Sequence, residues 1–116
     1  MSPRPSAAAR RAPLKNSAPI FAALGDETRL RLVAVLCAGG AMSIAQLTSG
    51  TEITRQAVTK HLQVLANAGL VHDVKVGRER LWAFERARLE EGRRSLDAIA
   101  LQWDQALMRL KRAVEA

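Results

Sequence analysis

The sequence has a single cysteine, Cys37, and no long run of apolar residues. One thiol cannot form a disulfide within the chain, which agrees with a reducing compartment. Because a membrane-spanning helix needs roughly 20 consecutive apolar residues, we expect no membrane segment and no secretory signal peptide. These absences predict a cytoplasmic protein.

The sequence also has little with which to build an enzyme. A chain of 116 residues predicts one domain, whose core is too small to enclose a substrate cleft as well. The residues offer no Ser-His-acid or Cys-His pairing and no glycine-rich loop that would hold a phosphate. We therefore expect neither enzymatic activity nor a bound cofactor.

Positive charge is what the sequence has in excess. Lys and Arg number 18 against 11 Asp and Glu, so the net charge is +7, and 48% of the residues are hydrophobic. The composition is that of a folded domain, and the charge favours a polyanionic partner such as nucleic acid. The basic residues 1–15 are rich in Pro, Ala and Ser, which predicts a disordered tail ahead of a single domain over residues 16–116.

Capping residues and glycines predict two helices at the start of this domain. Ser17 and Pro19 precede an apolar stretch that indicates a short first helix, closed by Gly25. Asp26 is placed to cap a second helix, which runs to Gly39. The apolar side chains that should face the core from this second helix are Leu30, Leu32, Val33 and Leu36.

Two more helices follow, joined by a tight turn. Ser43 and Gln46 have the spacing of a capping box, and Gly50 ends the helix that they open. Thr54 is placed to cap the next helix, which Gly69 closes after about four turns. On a helical wheel, one face of this fourth helix carries Val58, His61, Leu62 and Leu65, and the opposite face carries Gln56, Thr59, Lys60 and Gln63.

The outward face of the fourth helix is suited to contacts with DNA. Two short helices joined by a tight turn, with amides, hydroxyls and an ammonium group exposed on the second, are what reading a major groove requires. A polar face that contacts only solvent would show the same pattern. The helix is therefore a candidate interface on these grounds alone.

The apolar pattern then changes from helical to strand-like. Alternating residues over 70–76 and 79–84 predict a β-hairpin that turns at Gly77 and Arg78. Arg78 at the tip and Arg80 beside it are placed to enter a minor groove or to contact phosphates. A basic hairpin tip is not specific to DNA binding when it is taken alone.

The last helix is predicted to start near Arg86 and to carry a long apolar stripe. Its members recur every three or four residues and are Leu96, Ile99, Trp103, Leu107, Leu110 and Val114. A second copy of the chain is the economical partner for this stripe, with Ile20 and Phe21 of the first helix sharing the interface. The alternative is that the helix folds back on Ile20 and Phe21 of its own chain.

Several motifs, taken in this order, resemble those of the ArsR family of repressors. They are Ala22–Arg29, Gln56–Leu62, Ala68–Val71 and Gly77-Arg78, within a similarity that covers roughly Ser17 to the C-terminus. The resemblance implies a winged helix-turn-helix, mainly α with a β-hairpin wing (α+β), that dimerises through its first and last helices. A two-fold dimer of this kind would repress transcription from an inverted-repeat operator in double-stranded DNA. By the same resemblance, the DNA contacts would be Thr54, Arg55, Gln56, Thr59, Lys60 and Gln63, with Arg78 and Arg80 in the wing.

Metal sensing, which is common in that family, is not expected here. Ser43 and Ala45 stand where the family's metal sensors have a Cys-x-Cys pair. The family's second metal site uses acids and histidines of the last helix, which here has Asp97 and Asp104 but no histidine. His61 is expected to be a packed, hydrogen-bonded residue rather than a ligand.

Cys37 and His72 are expected to play structural parts. Cys37 follows Val35 and Leu36, which predicts a buried and inert thiol, whereas a redox sensor would need an exposed, reactive one. His72 is expected at the surface of the first strand.

A different function is compatible with the same fold. A winged-helix module that binds protein partners, without specific DNA binding, would explain the fold and the apolar stripe. It gives no reason for Gln56, Lys60 and Arg78 to converge. Failure of duplex DNA to bind at low salt would support it.

Overall fold

The computed structural model describes residues 7–115, which form five helices and one antiparallel pair of strands. In chain order the elements are α1 Ala7–Leu24, α2 Glu27–Gly39, α3 Ile44–Ser49, α4 Arg55–Asn67, β1 Val71–Val76, β2 Glu79–Phe84 and α5 Arg86–Glu115. The predicted architecture, mainly helical with a β-hairpin, is confirmed. Within residues 7–115, no helix combines the length and the apolar character that a bilayer crossing needs.

Three of the helices begin at the capping residues that the sequence indicates. The Asp26 carboxylate accepts a hydrogen bond from the backbone N–H of Arg29 at 3.0 Å. Ser43 and Gln46 form both bonds of the capping box, at 3.1 and 2.9 Å. The Thr54 hydroxyl accepts from a backbone N–H three residues on, at 3.1 Å. Since a cap satisfies donors that a helix leaves unpaired, these side chains fix where α2, α3 and α4 start.

The first helix is longer than the sequence analysis predicts. It begins at Ala7 rather than near Ser17, so residues 7–15 of the predicted tail are helical. Residues 7–12 are only Ala and Arg, whose high helix propensity outweighs the Pro and Ser content on which the prediction of disorder rests. Residues 1–6 of the predicted tail lie outside the described residues.

The core forms where α1, α2 and α4 meet the base of the hairpin, around side chains with almost no exposure: Ile20, Leu32, Leu36, Val58, Leu62, Leu65 and Leu70. Two predictions for α2 are wrong. Leu30 is 52% exposed and Cys37 is also exposed. The helix buries the side on which Leu32 and Leu36 lie one turn apart, and Leu30 and Cys37 share a different side, two turns apart.

The two strands form the predicted hairpin. The register pairs Val71 with Phe84 at its base and Val76 with Glu79 at its tip. Gly77 in the turn has φ +63°, a conformation that side chains other than glycine rarely adopt.

A third short segment ties the hairpin to the helices. Met42, between α2 and α3, forms an antiparallel bridge with Trp82 of β2, through N···O distances of 3.0 and 2.7 Å. Trp82 is only 7% exposed. The root of the hairpin is therefore attached to the segment that leads into α3.

The N-terminal half of α5 packs against α1 of the same chain. The hydroxyl oxygens of Ser17 and Ser95, both buried, lie 2.5 Å apart across this contact. A Cβ atom at Gly92 would lie 3.3 Å from Ile20, so the two backbones approach closely there. Ile20 is completely buried within its own chain, as expected if α5 folds back on α1. Phe21 is only half-buried.

The C-terminal half of α5 extends beyond this contact. A helix of 30 residues is about 45 Å long, and the described chain measures 66 × 29 × 20 Å. All six members of the apolar stripe are exposed, from 44% at Leu107 to 77% at Val114. The single chain leaves this stripe uncovered, from Leu96 in the N-terminal half of α5 to Val114 near its end.

Candidate nucleic-acid interface

One side of α4 is fixed in the core and the other faces outward. Val58, Leu62 and Leu65 are completely buried. The residues predicted to contact DNA from this helix are all exposed and comprise Thr54 at the N-cap, Arg55, Gln56, Thr59, Lys60 and Gln63. The buried side chains hold the helix in one rotational setting, so the outward set is presented as a fixed surface.

The short helix α3 supports the start of α4. Leu47 of α3 is buried in the same core, and residues 50–54 connect the two helices. Ile53, just before the N-cap, packs against this core. The pair therefore forms a helix-turn-helix whose second helix starts with its polar first turn exposed.

Three outward residues of α4 already use part of their hydrogen-bonding capacity. The Thr54 hydroxyl serves the N-cap, and the Thr59 hydroxyl donates to the backbone carbonyl of Arg55 at 2.8 Å. The Gln63 amide donates to the side chain of Asn67 at 3.2 Å. Their hydroxyl and amide oxygens keep acceptor capacity for a further contact.

Arg55, Gln56 and Lys60 have their polar groups fully available. Within residues 7–115, the structure records no hydrogen bond and no ion pair for these side chains. A guanidinium and an amide on the first turn of α4, with an ammonium group on the second, can meet base edges and phosphates together. These three residues form the centre of the candidate interface.

A cluster under α4 links it to the first two helices. The Arg29 guanidinium donates to the carbonyl of Ala23 at 2.6 Å, and its Nη1 lies 3.4 Å from Nδ1 of His61. The Asp26 carboxylate lies 4.0 Å from the same nitrogen. Since the guanidinium can only donate, Nδ1 of His61 accepts, which makes His61 a packed, hydrogen-bonded residue.

The charges of this cluster act on Asp26. The hydrogen bond from the Arg29 backbone N–H, together with the charge of the Arg29 guanidinium, lowers the pKa of the Asp26 carboxyl below its ordinary value. Sequence reasoning missed the role of Arg29. The available signal was the helix end at Gly25, because carbonyl groups at the end of a helix need donors from elsewhere.

The two arginines of the hairpin differ in their surroundings. Arg78 is exposed at the tip and has no ion pair among the described residues. Arg80 makes an ion pair with Asp73 across the strands, with Nε 3.1 Å from the carboxylate. Among the described residues, the Arg78 guanidinium at the tip is therefore free of ion pairs, and the Arg80 guanidinium behind it is partly neutralised.

The residue types that bind metals do not gather at this interface. Among residues 7–115, no group of three or more His, Cys, Asp or Glu is arranged to hold a metal ion. His72 lies exposed on β1, with Nδ1 2.7 Å from the Glu85 carboxylate.

Comparison with known proteins agrees with this geometry. A family model described as a helix-turn-helix domain matches residues 24–74. The chain is 37% identical to YuzN, an uncharacterized HTH-type transcriptional regulator of Bacillus subtilis, in a match that covers 65% of this chain and 88% of that protein.

Solved structures extend the likeness to nearly the whole chain. An ArsR-like transcriptional regulator from Rhodococcus sp. RHA1 is 38% identical and superposes with a TM-score of 0.77, covering 85% of this chain and 92% of that chain. A homodimeric winged helix-turn-helix DNA-binding domain from Mycobacterium bovis superposes with a TM-score of 0.60 over 97% of this chain and 95% of that chain. Since the latter is 21% identical, it shows the fold alone.

Proposed function

This chain belongs to the ArsR family of winged helix-turn-helix transcriptional regulators, and on that premise we propose that it is a repressor that binds an inverted-repeat operator as a homodimer. The observation that carries the proposal is the contrast between the two faces of α4. Its apolar face is completely buried, and its opposite face presents Arg55, Gln56 and Lys60 without partners in the described chain. A surface that is rigid, cationic and unsatisfied is suited to the major groove.

We assign the base contacts to Gln56 and Lys60 in the middle of this face. Amide and ammonium groups in the first turns of a recognition helix reach base edges, and a well-placed contact discriminates between bases by about 1 to 3 kcal/mol. Arg55, with Thr54, Thr59 and Gln63 around it, positions the helix on the phosphates. In the wing, Arg78 contacts the minor groove or the backbone, and Arg80 supports it.

The arrangement of the apolar stripe on α5 supports a second copy as its partner. Leu96 and Leu110 lie seven residues to either side of Trp103, and Ile99 and Leu107 lie four residues to either side. An antiparallel pair of helices with its two-fold axis at Trp103 therefore places an apolar side chain opposite an apolar side chain at every step. All five are exposed in the single chain, so pairing would remove a long apolar surface from water.

The two helices contribute unequally to this interface. Ile20 is completely buried by its own chain, so the interface rests mainly on α5. Phe21 keeps part of its ring exposed close to Gly92, and it extends the apolar stripe of α5 at that end. A two-fold dimer of this kind presents two recognition helices, which predicts half-sites centred about 34 Å apart.

Selection of bound sequences from random duplex DNA by the purified protein at moderate salt tests the proposal. An enriched inverted repeat, titrated by fluorescence anisotropy and bound by two chains, is the expected result. Weak binding that salt abolishes, without sequence preference, would contradict it and would favour the protein-interaction alternative.

Substitutions then test the individual residues. We expect Gln56→Ala and Lys60→Ala to weaken operator binding by about 1 to 3 kcal/mol each and to alter sequence preference. Arg78→Ala should weaken all sequences alike and flatten the salt dependence. Arg94→Ala, which removes an exposed cation from α5, is the control for charge alone. Unchanged operator affinity in all three interface variants would refute the site.

A further inference from the structure

Arg88, near the start of α5, connects three parts of the fold through one side chain. Its Nε donates to the carbonyl of Ala68, the C-cap residue of α4, at 2.8 Å. Its Nη2 donates to the carbonyl of Asn16 in α1 at 2.9 Å. Its Nη1 makes an ion pair with Glu91, one turn further along α5, at 2.6 Å. Every nitrogen of the guanidinium thus has a partner, and each partner lies on a different helix.

The turn after α4 is shaped to admit this side chain. Gly69 has φ +79°, and a Cβ atom built there would lie 3.2 Å from Nε of Arg88 and 3.4 Å from its Cγ and Cδ. A larger residue would therefore meet both backbone strain and the stem of Arg88. The carbonyl of Ala68 belongs to the last turn of α4, where acceptors have no partner within the helix. Arg88 supplies that partner from α5.

The two helices that Arg88 joins have separate tasks in the proposed function. The recognition helix α4 enters the DNA, and α5 carries the apolar stripe that defines the two-fold axis. The angle between α4 and α5 therefore determines how far apart, and at what rotation, the two recognition helices of a dimer lie. One base pair moves a half-site by about 3.4 Å and turns it by about a tenth of a helical turn. A small change in this angle is therefore enough to change the accepted spacing.

We propose that Arg88 is a positioning residue that fixes α4 relative to α5 and so determines which half-site spacing the dimer accepts. The proposal rests on the function proposed above. Lysine keeps the charge but lacks the planar fork that reaches two carbonyls and a carboxylate together. Arg88→Lys should therefore loosen the angle and leave the outward surface of α4 unchanged.

Operators with altered spacing test the consequence for DNA. The wild-type protein and its variants are titrated with the selected inverted repeat, with versions that have one or two base pairs added or removed between half-sites, and with a single half-site. We expect the wild-type protein to lose about tenfold or more in affinity per altered base pair, and Arg88→Lys to lose about threefold or less. The affinity of Arg88→Lys for the single half-site should stay within about twofold of the wild-type affinity. Equal spacing preference in the two proteins would overturn the proposal.

Arg93 provides a matched control on the same helix. It makes an ion pair with Glu90, also three residues away, at 3.1 Å. Among the described residues it reaches no other element. Arg93→Lys should keep the wild-type spacing preference. If it changes that preference as much as Arg88→Lys does, the effect belongs to a general loss of α5 stability and the proposal fails.

A distance measurement decides the proposal without DNA. Spin labels at Gln63→Cys on α4 and Arg94→Cys on α5, in a Cys37→Ser background and diluted with unlabelled chains, report the separation of α4 and α5. We expect one narrow distance distribution with Arg88 and a broadened or shifted one with Arg88→Lys or Arg88→Gln. An unchanged distribution in both variants would overturn the proposal. A protein that selects no inverted repeat would contradict the proposed function, and the distances would still decide for or against Arg88.

Discussion

The proposed dimer can be tested at its centre by replacing Trp103 with alanine. Trp103 is 63% exposed in the single chain, and a tryptophan brings at most about 250 Å² of surface. About 150 Å² per chain is therefore available for burial by a partner. At about 25 cal/mol per Å², complete burial would stabilise the dimer by about 4 kcal/mol for each chain.

The loss on substitution is smaller than this upper bound because burial is incomplete and alanine retains some contact. We expect Trp103→Ala to weaken the dimer by at least about 3 kcal/mol, which raises its Kd by about a hundredfold or more. Sedimentation velocity over a range of protein concentrations measures the change. The helix content measured by circular dichroism should be the same for Trp103→Ala and wild type at concentrations where both have the same oligomeric state.

Leu101→Ala is the matched control for this substitution. Leu101 is also exposed, at 58%, but it lies two residues from Trp103 and therefore about 200° around the helix. Its replacement should leave the dimer intact. If Trp103→Ala sediments as wild-type dimer at every concentration, or if Leu101→Ala dissociates equally, then the stripe around Trp103 is not the interface.

Three further outcomes follow from particular contacts. Asp73→Asn frees Arg80 and removes a negative charge from the wing, so we expect tighter DNA binding and a steeper salt dependence, by about one counterion per subunit; unchanged binding would place Arg80 away from the phosphates. Asp26 has a pKa below its ordinary value of 3.8, so its contribution to stability is present above about pH 4 and is lost as the pH falls through its lower folded-state pKa. Denaturant unfolding at neutral pH and at about pH 3 should therefore show a smaller acid-induced loss for Asp26→Asn than for wild type, and equal losses would count against the Arg29 contacts. Cys37 is exposed and should react with a thiol reagent in the native protein as fast as in denaturant, whereas slow native reaction would indicate burial.

Much of this fold could be predicted from short-range signals. Asp26, Ser43 and Thr54 are polar residues placed just before apolar periodic segments, and a cap acts within three residues of itself. The register of the hairpin follows from Gly77 in the same local way. The outward set on α4 was also predictable, because Val58, Leu62 and Leu65 leave only one choice of buried face.

The predictions that failed on α2 concern positions decided by packing between elements. On α2, the apolar residues are numerous enough for two overlapping stripes, and the contacts with α1, α4 and β2 select Leu32 and Leu36 over Leu30 and Cys37. Arg29 and Arg88 each bind carbonyl groups that lie far away in sequence or on another helix. Composition and periodicity cannot predict such contacts. The bridge between Met42 and Trp82 is likewise a contact between distant segments.

The different burial of the two tryptophans gives the protein a built-in optical reporter. The sequence contains two tryptophans and no tyrosine, so Trp82 and Trp103 dominate its ultraviolet emission. Indole emits at shorter wavelength when water is kept from the ring, and Trp82, at 7% exposure, is already shielded within a single chain. Trp103 is in contact with water until something covers it. In a Trp82→Phe protein, the emission maximum of Trp103 would therefore shift to shorter wavelength when two chains associate, without any added dye.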